Sequence, residues 1–228
     1  SARIGYDFAG SSYNRFSMFD LDLHHATASV EYQNALFDSA LSVDRYTGLL
    51  DGEDYVDITQ FSPSIAKLFG NRVYVRTAFI SMTRDYADLA ERNAKNTAPR
   101  LDTYLLLDGL DRYISVGAQF NDEQAASSEF DYKGNVLSLS YVETLKLPRM
   151  PVKLTGSLRF ENRDYTSVTP SIEQLRRDER WRVGLEAEVP FSEYMSMHAT
   201  LERIDNASNL DSANLEKTVA GLQFRLAF

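Results

Sequence analysis

Apolar and polar residues alternate along most of this chain, and segments with this period of two recur about a dozen times. Successive side chains of a β-strand point to opposite faces, so each segment predicts a strand with one apolar and one polar face. The last segment is the clearest. Even positions from Thr218 to Phe228 are mainly apolar, whereas odd positions include Gln223 and Arg225.

The strands run close to the ~9–11 residues that a tilted strand needs to cross an outer membrane. The alternation predicts strands at Arg3–Phe8, Thr27–Ala35, Phe37–Tyr46, Asp57–Phe69, Arg72–Asp85, Arg100–Asp108, Arg112–Asn121, Asn135–Leu145, Val152–Arg163, Arg180–Phe191, Met195–Ile204 and Lys217–Phe228.

The segments between these strands alternate in length. Short connections are predicted near Asn34–Phe37, Phe69–Arg72, Asp108–Arg112, Lys146–Pro151 and Ser192–Tyr194. Long ones are predicted near Ala9–Ala26, Thr47–Val56, Tyr86–Pro99, Asp122–Gly134, Asp164–Glu179 and Asp205–Glu216. Tight periplasmic turns and longer outer loops are typical of outer-membrane barrels. We therefore predict one all-β domain over residues 1–228: a transmembrane up-and-down antiparallel β-barrel of about 12 strands, closed by the last strand, with both termini periplasmic.

Pro63 lies inside a predicted strand, where it removes a backbone donor from the ladder. A closed barrel has no free edge to accommodate that loss, so we expect a bulge or an early end of pairing at Pro63.

Overall composition is that of an ordinary soluble protein, with 43% hydrophobic and 25% charged residues. No apolar run approaches the ~20 residues of a membrane-spanning helix. Barrel strands escape such a test because their two faces average to neutral. The chain also has 13 Tyr and 13 Phe, many near predicted strand ends, as an interfacial girdle requires. The competing interpretation is a soluble sandwich or lipocalin-like barrel with its apolar face inward.

Net charge and cysteine content limit the partners and metal sites expected for this chain. A net charge of −9 argues against nucleic acid, and the absence of Cys excludes disulfides and thiolate metal sites. No cofactor and no metal site are expected. Phe224, Leu226 and Phe228 fit the C-terminal signal that barrel-assembly machinery reads, which makes that machinery, membrane lipid and lipopolysaccharide the expected partners. A periplasmic or surface protein is a further possible partner.

Charged residues recur on the polar faces of the predicted strands. They form a candidate lumen network of Arg72, Arg76, Arg159, Arg163, Arg182, Glu186, Glu188, Glu202 and Arg225. Because consecutive strands of a meander are neighbours, Arg159 and Arg163 are expected to face Glu186 and Glu188 across one ladder. Such a network either fills a narrow barrel with ion pairs or lines a selective pore.

Candidate catalytic and metal-binding residues are few. Ser196 and His198 share a strand face, as a Ser and a His do in outer-membrane phospholipases, and Glu202 could orient the imidazole. A polar lumen patch is the favoured interpretation, so no enzyme activity is predicted. Adjacent His24 and His25 point to opposite faces and make a poor chelating pair. The segment 51–54 lacks the spaced ligands of a calcium loop.

Several short motifs resemble the C-terminal barrel domain of tetratricopeptide-repeat outer-membrane proteins, the class that includes surface lipoprotein assembly modifiers. The motifs are Ser62-Pro63-Ser64, Leu106-Leu107-Asp108-Gly109, Glu129-Phe130-Asp131-Tyr132, Arg176-Arg177-Asp178-Glu179-Arg180 and Asp205-Asn206-Ala207-Ser208-Asn209. The resemblance implies a barrel that helps to move or display a substrate at the cell surface, fed by periplasmic helical repeats. No helical repeat with a period near ~34 residues occurs in this chain.

The sequence thus favours a bacterial outer-membrane barrel acting as a narrow channel or translocon component for export or surface display of a substrate. The alternative is a non-conducting structural or binding barrel that contacts lipopolysaccharide or an envelope protein through its loops or rim. A third possibility, a lipid-modifying enzyme, depends on Ser196 and His198 alone.

Overall fold

The computed structural model describes residues 1–148, 150–192 and 194–226, and its strands form one sheet of twelve. The strands are β1 (Ala2–Ser11), β2 (Leu21–Gln33), β3 (Asp38–Leu50), β4 (Glu53–Phe69), β5 (Val73–Tyr86), β6 (Ala94–Asp108), β7 (Arg112–Ala125), β8 (Tyr132–Lys146), β9 (Pro151–Thr169), β10 (Gln174–Ser192), β11 (Met195–Ser208) and β12 (Leu215–Leu226). Each strand pairs antiparallel with the next, so the predicted twelve-stranded up-and-down meander is confirmed. Within the described ranges, no helix is both long and apolar enough to cross a membrane.

The two faces of the sheet differ in exposure as well as in chemistry. Large apolar side chains such as Leu185 and Leu222 are 61% and 62% exposed on the apolar face. Polar side chains such as Glu123 and Asp102 are each only 6% exposed on the opposite, polar face. Because no second layer covers the polar face of this single sheet, the sheet itself must curl around these polar side chains. This arrangement is the inverse of a soluble β-protein, which buries its apolar side chains.

Strands extend well beyond their predicted limits at one end. β10 begins at Gln174, whereas the alternation of apolar and polar residues predicted a start at Arg180. β7 continues past its predicted end at Asn121 to Ala125. At the short connections, by contrast, predicted and observed ends agree closely, as at Phe69 and Arg112. The added segments of β10 and β7 have no continuous apolar face, so the apolar pattern stops while backbone pairing continues.

Two connections predicted to be long are tight turns. β3 and β4 are joined by Asp51 and Gly52 alone, with φ values of 52° and 80°. Two successive residues with positive φ produce the turn that matches the twist of a hairpin, and an Asp-Gly pair suits it. β9 and β10 are joined through positions 170–173. The prediction of long loops at these two places was wrong, because the ladders use most of the intervening residues.

Four of the remaining connections share one local design. Each contains a short 3₁₀ helix, at Ser17–Phe19, Ala90–Arg92, Ser128–Phe130 and Asp211–Ala213. An Asp or Asn follows each helix, and its side-chain oxygen accepts a hydrogen bond from a backbone N–H at or beyond the end of the preceding strand. Asn93 accepts in this way from Tyr86 at 2.7 Å, and Asp131 accepts from Ala125 at 2.6 Å. Such Asx bonds close the loop without a regular turn. These connections are compact and internally bonded.

Pro63 neither bulges nor ends its strand. The β4–β5 ladder has the same register before and after Pro63, and between Phe61 and Ser64 the two residues Ser62 and Pro63 lack partners in β5. Both expectations for Pro63 were therefore wrong. The missing N–H interrupts pairing locally, and Pro99 in β6 accompanies a similar gap toward β7.

The outer strands of the sheet have one partner each. Among the described residues, no ladder joins β1 to β12. Every residue of β12 is exposed, including Gln223 and Arg225 on its polar face. The barrel closure predicted from the last strand is therefore not formed by the described residues. Phe224 and Leu226 lie on the apolar face, and Phe228 lies outside the described residues.

Candidate functional site: the charged polar face

Most of the predicted lumen charges lie on the polar face. Arg76, Arg159, Arg163, Arg182, Glu186, Glu188, Glu202 and Arg225 occupy it on strands β5 and β9–β12. Arg72 lies one residue before β5, where it is exposed in the turn after β4 and its carbonyl oxygen accepts from the backbone N–H of Leu106 at 2.7 Å. Its place in the lumen stays a prediction.

The predicted pairing of charges across β9 and β10 was also wrong. Arg159 lies opposite Arg182, and Arg163 lies opposite Asp178. Glu186 and Glu188 lie further toward the short-turn end, opposite Thr155 and Lys153. The error is one of register, which the alternation of apolar and polar residues cannot fix because any shift by an even number of residues preserves the faces.

A buried carboxylate, Glu123, forms the centre of the most complete polar network. It accepts hydrogen bonds from Arg84 at 3.2 Å, Asn96 at 3.3 Å and Tyr132 at 3.2 Å. Arg84 reaches Glu123 from β5 across the whole width of β6, which is possible only because the sheet curves toward this face. A buried charge needs such partners to offset its lost hydration.

Two further acids have an arginine directly alongside on the same strand. Asp102 accepts from Arg100 through both carboxylate oxygens at 2.9–3.0 Å. Asp178 accepts from Arg176 at 2.7 and 2.9 Å. These bidentate pairs, spaced two residues apart on one face of a strand, are neutral as units.

Sequence reasoning missed most members of these networks. Glu123, Tyr132, Arg176 and Asp178 all lie in strand segments beyond the predicted ends. A usable signal did exist at even positions, where Arg176, Asp178, Arg180 and Arg182 continue the polar face of β10. It was not used because the odd positions between them lack a continuous apolar pattern.

The arginines at the middle of β9 and β10 are not neutralised in this way. Arg182 has a buried Nε with no hydrogen-bond partner among the described residues. Arg159 has only a 3.8 Å contact with Glu161, whose firmer partner is Arg163 at 2.6 Å. Arg180 donates to the uncharged amide oxygen of Asn206 at 3.1 Å. This part of the polar face therefore carries excess positive charge.

Acidic and histidine side chains gather elsewhere on the polar face. His25 bonds Asp44 at 3.0 Å and lies 3.4 Å from Asp7, while Glu31 and Asp38 continue the same wall on β2 and β3. His24 points to the apolar face and contacts Tyr6, so the two adjacent histidines diverge as expected. Within the described residues, no three His, Asp or Glu side chains are placed so that they could hold a metal ion together.

Ser196, His198 and Glu186 form a hydrogen-bonded row near the short-turn end. The Ser196 hydroxyl lies 3.1 Å from Nε2 of His198, and Nδ1 lies 3.4 Å from Glu186. The orienting acid is thus Glu186, and the expectation of Glu202 was wrong. Catalysis by such a row needs donors aimed at a developing oxyanion. Ser196 lies within ladders to both β10 and β12, so no free N–H pair is identified beside it.

Comparisons with known proteins give a broad structural likeness. No family model and no curated protein sequence matches the chain. Among solved structures, the β domain of the Bordetella autotransporter BrkA is 13% identical, with a TM-score of 0.47, covering 100% of this chain and 98% of that one. The KdgM porin, solved with disordered oligogalacturonate, is 10% identical, with a TM-score of 0.48 and coverage of 100% and 99%. The NanC porin is 8% identical, with a TM-score of 0.47 and coverage of 100% and 99%. Because these scores are low, the conclusions below rest on the chain's own residues.

Proposed function

We propose that this chain forms an outer-membrane β-barrel that provides a narrow channel for polar solutes. One observation carries the proposal: large apolar side chains are exposed on one face of the sheet, whereas charged side chains such as Glu123 and Asp102 are buried on the other. A soluble protein would expose the face that here contains Glu123 and Asp102. An apolar surface of this extent is suited to lipid, and a polar concave surface is suited to water and solutes.

Residence in a bilayer requires that the two outer strands be covered. Unpaired backbone N–H and C=O groups cost several kcal/mol each in hydrocarbon, and closed barrels avoid that cost. β1 and β12 run antiparallel to each other because the number of strands is even. Their apolar faces match, with Tyr6 and Phe8 on β1 and Leu222 and Phe224 on β12. We therefore propose that β1 pairs with β12 in the membrane-embedded protein.

Disulfide trapping tests this closure cleanly, because the chain has no Cys. Tyr6→Cys is combined in turn with Cys at Leu222, Phe224 or Leu226, three positions on the apolar face of β12. One combination should oxidise within a single chain, and its partner identifies the register. A matched control joins Tyr6→Cys with Val116→Cys, in the distant strand β7. Failure of all three combinations, or disulfide-linked dimers alone, would contradict closure by β1 and β12.

A polar interior that carries both free arginines and ion pairs supports conduction of small solutes. The test is single-channel recording of the purified chain in planar lipid bilayers. Discrete current steps are expected, and they should change in size when Glu188 or Arg225 on the polar face is replaced by Gln. The complete absence of current at all voltages would contradict an open channel. Export or surface display of a larger substrate, as in the resembling family, is the finer form of this proposal.

A non-conducting structural barrel is the second candidate, favoured by the network around Glu123. Side chains from β5, β6, β7 and β8 meet there and occupy part of the interior. In that case the four compact loops closed by Asx bonds would contact lipopolysaccharide or an envelope protein. A stoichiometric partner on purification from native membranes, combined with no current, would favour this candidate over the channel.

Orientation and biogenesis complete the proposal. β1 begins and β12 ends at the same end of the meander as the turns 69–73 and 108–112. We propose that this end faces the periplasm and that the Asx-closed loops face outside. Phe224 and Leu226, with the terminal Phe228, would be read by the barrel-assembly machinery. No enzymatic role is proposed.

A further inference from the structure

We propose that Arg159, Arg180 and Arg182, termed here the arginine site, bind oxyanion groups of solutes inside the barrel, either carboxylates or phosphates. The inference rests on the proposed barrel and names the class of ligand that its interior would favour.

The guanidinium group of Arg182 has a hydrogen-bond donor without a partner. Its Nε is buried and has no acceptor within the described part of the chain. A buried donor without a partner is costly, and the cost is larger for a charged group. Because the surrounding residues leave this donor free, an acceptor from a ligand would complete its hydrogen bonding.

The neighbours of Arg182 increase the excess of positive charge. Arg159 lies directly opposite on β9, and adjacent strands are only ~4.8 Å apart. Like charges placed directly opposite in a ladder are destabilising, so a bound anion between them would relieve repulsion as well as bind.

Nearby carboxylates offset the arginine site only in part. Glu161 lies opposite Arg180 and 3.8 Å from Arg159, but its shorter contact is with Arg163 at 2.6 Å. Asp178 is bound by Arg176 at 2.7 Å. Glu202 lies opposite Gly184, one step toward the short-turn end, and no ion pair within 4.0 Å links it to an arginine of the site among the described residues. The site therefore keeps a positive charge that the chain itself does not cancel.

A hydroxyl group lies beside the arginine site. Gly184 follows Arg182 on the polar face and lies opposite Ser157, whose hydroxyl oxygen would stand 2.6 Å from a Cβ on Gly184. Because Gly184 has no Cβ, the Ser157 hydroxyl packs against its backbone, and this group can donate to an anion. A planar guanidinium group donates two parallel hydrogen bonds to the paired oxygens of a carboxylate or a phosphate. A neutral or cationic solute lacks such a charged pair of acceptors.

Isothermal calorimetry on the full chain in detergent tests the site directly. The probes are citrate, tripolyphosphate and, as a cation, spermidine. Citrate or tripolyphosphate should bind, and the tighter of the two identifies a carboxylate or a phosphate ligand. Arg182→Gln should weaken binding about ten-fold, because hydrogen bonds to charged groups typically contribute that much. The matched control Arg45→Gln removes the same charge on the apolar face beside Asp57 and should leave affinity unchanged.

A second variant separates charge from geometry. Arg182→Lys keeps the charge but loses the fork, so it should weaken binding while preserving the preference of the channel for anions in a salt gradient. Circular dichroism of each variant checks that the β-structure is retained. Equal affinities in wild type, Arg182→Gln and Arg45→Gln, or tighter binding of spermidine than of the two anions, would overturn the inference.

The two proposals fail in distinguishable ways. Anion binding lost in Arg182→Gln without any bilayer current would contradict the channel and support the arginine site. Current steps that show no anion preference, together with no citrate or tripolyphosphate binding, would support the channel and overturn the site.

Discussion

A single charged substitution on the apolar face tests whether that face contacts lipid. Leu185 lies in the middle of β10, is 61% exposed, and sits between Gly156 and Leu201 in the neighbouring strands. Leu185→Arg would place a cation in the hydrocarbon region if the proposal is correct. The expected cost is about 2–4 kcal/mol, the range for Arg near the bilayer midplane of an outer-membrane barrel.

If the same face is bathed in water, the cost should be far smaller. Substitutions at exposed sites without special contacts usually change stability by less than about 0.5 kcal/mol. The two interpretations therefore differ by a factor of about ten or more in the ratio of folded to unfolded protein. The structure makes this contrast large because so much of the Leu185 side chain touches neither β9 nor β11.

Reversible denaturant unfolding in phospholipid vesicles supplies the measurement. Trp181 is the only Trp, lies on the same face four residues before Leu185, and reports the transition by fluorescence. Thr200→Arg is the matched control, since Thr200 is exposed on the polar face opposite Glu186. Its free energy of unfolding should stay near that of the wild type. Equal, small effects of Leu185→Arg and Thr200→Arg would refute a lipid-facing apolar face.

Two further predictions concern the polar face and its packing. Glu123→Ala should lower the free energy of unfolding by about 3–5 kcal/mol, because it leaves buried donors unpaired. The control Glu216→Ala breaks an exposed ion pair with Arg203 and should lower the free energy of unfolding by less than about 1 kcal/mol. Gly134→Ala should cost about 1–3 kcal/mol in the same unfolding assay, because the added Cβ would lie 2.5 Å from the Asn162 carbonyl oxygen. The added Cβ of Gly156→Ala would meet only a Leu185 methyl at 3.8 Å, so this variant should leave the free energy of unfolding unchanged. Similar values within either pair would contradict the assigned contacts.

Prediction of the strands from sequence succeeded where one face is apolar. The ends at Phe69, Arg112 and Met195 agree with the structure because apolar alternation continues to the short turns. It failed at the opposite ends, where β9 continues past Arg163 to Thr169 through a segment that lacks an apolar face. Backbone hydrogen bonds need no particular side chain, so a ladder can extend where the alternation of apolar and polar residues has ended.

Prediction of the charged site was limited in the same way. Residues such as Arg182 and Glu186 were placed on the correct face, because face depends only on whether a position is odd or even. Their partners were misassigned, because partners depend on register. The unneutralised Arg182 could not have been recognised from sequence, since three acids lie within a few positions of it along β10 and only the ladders show which arginines they bind.

The sequence by itself determined the number of strands, their antiparallel order and the chemistry of each face. These properties follow from local alternation and from connections too short to allow any other path. Only the tertiary structure decided which face is exposed, which charges meet, and that β1 and β12 do not pair with each other among the described residues. Curvature, register and edge pairing involve residues far apart in the chain, and a pattern with a period of two is the same for a sheet that curls either way.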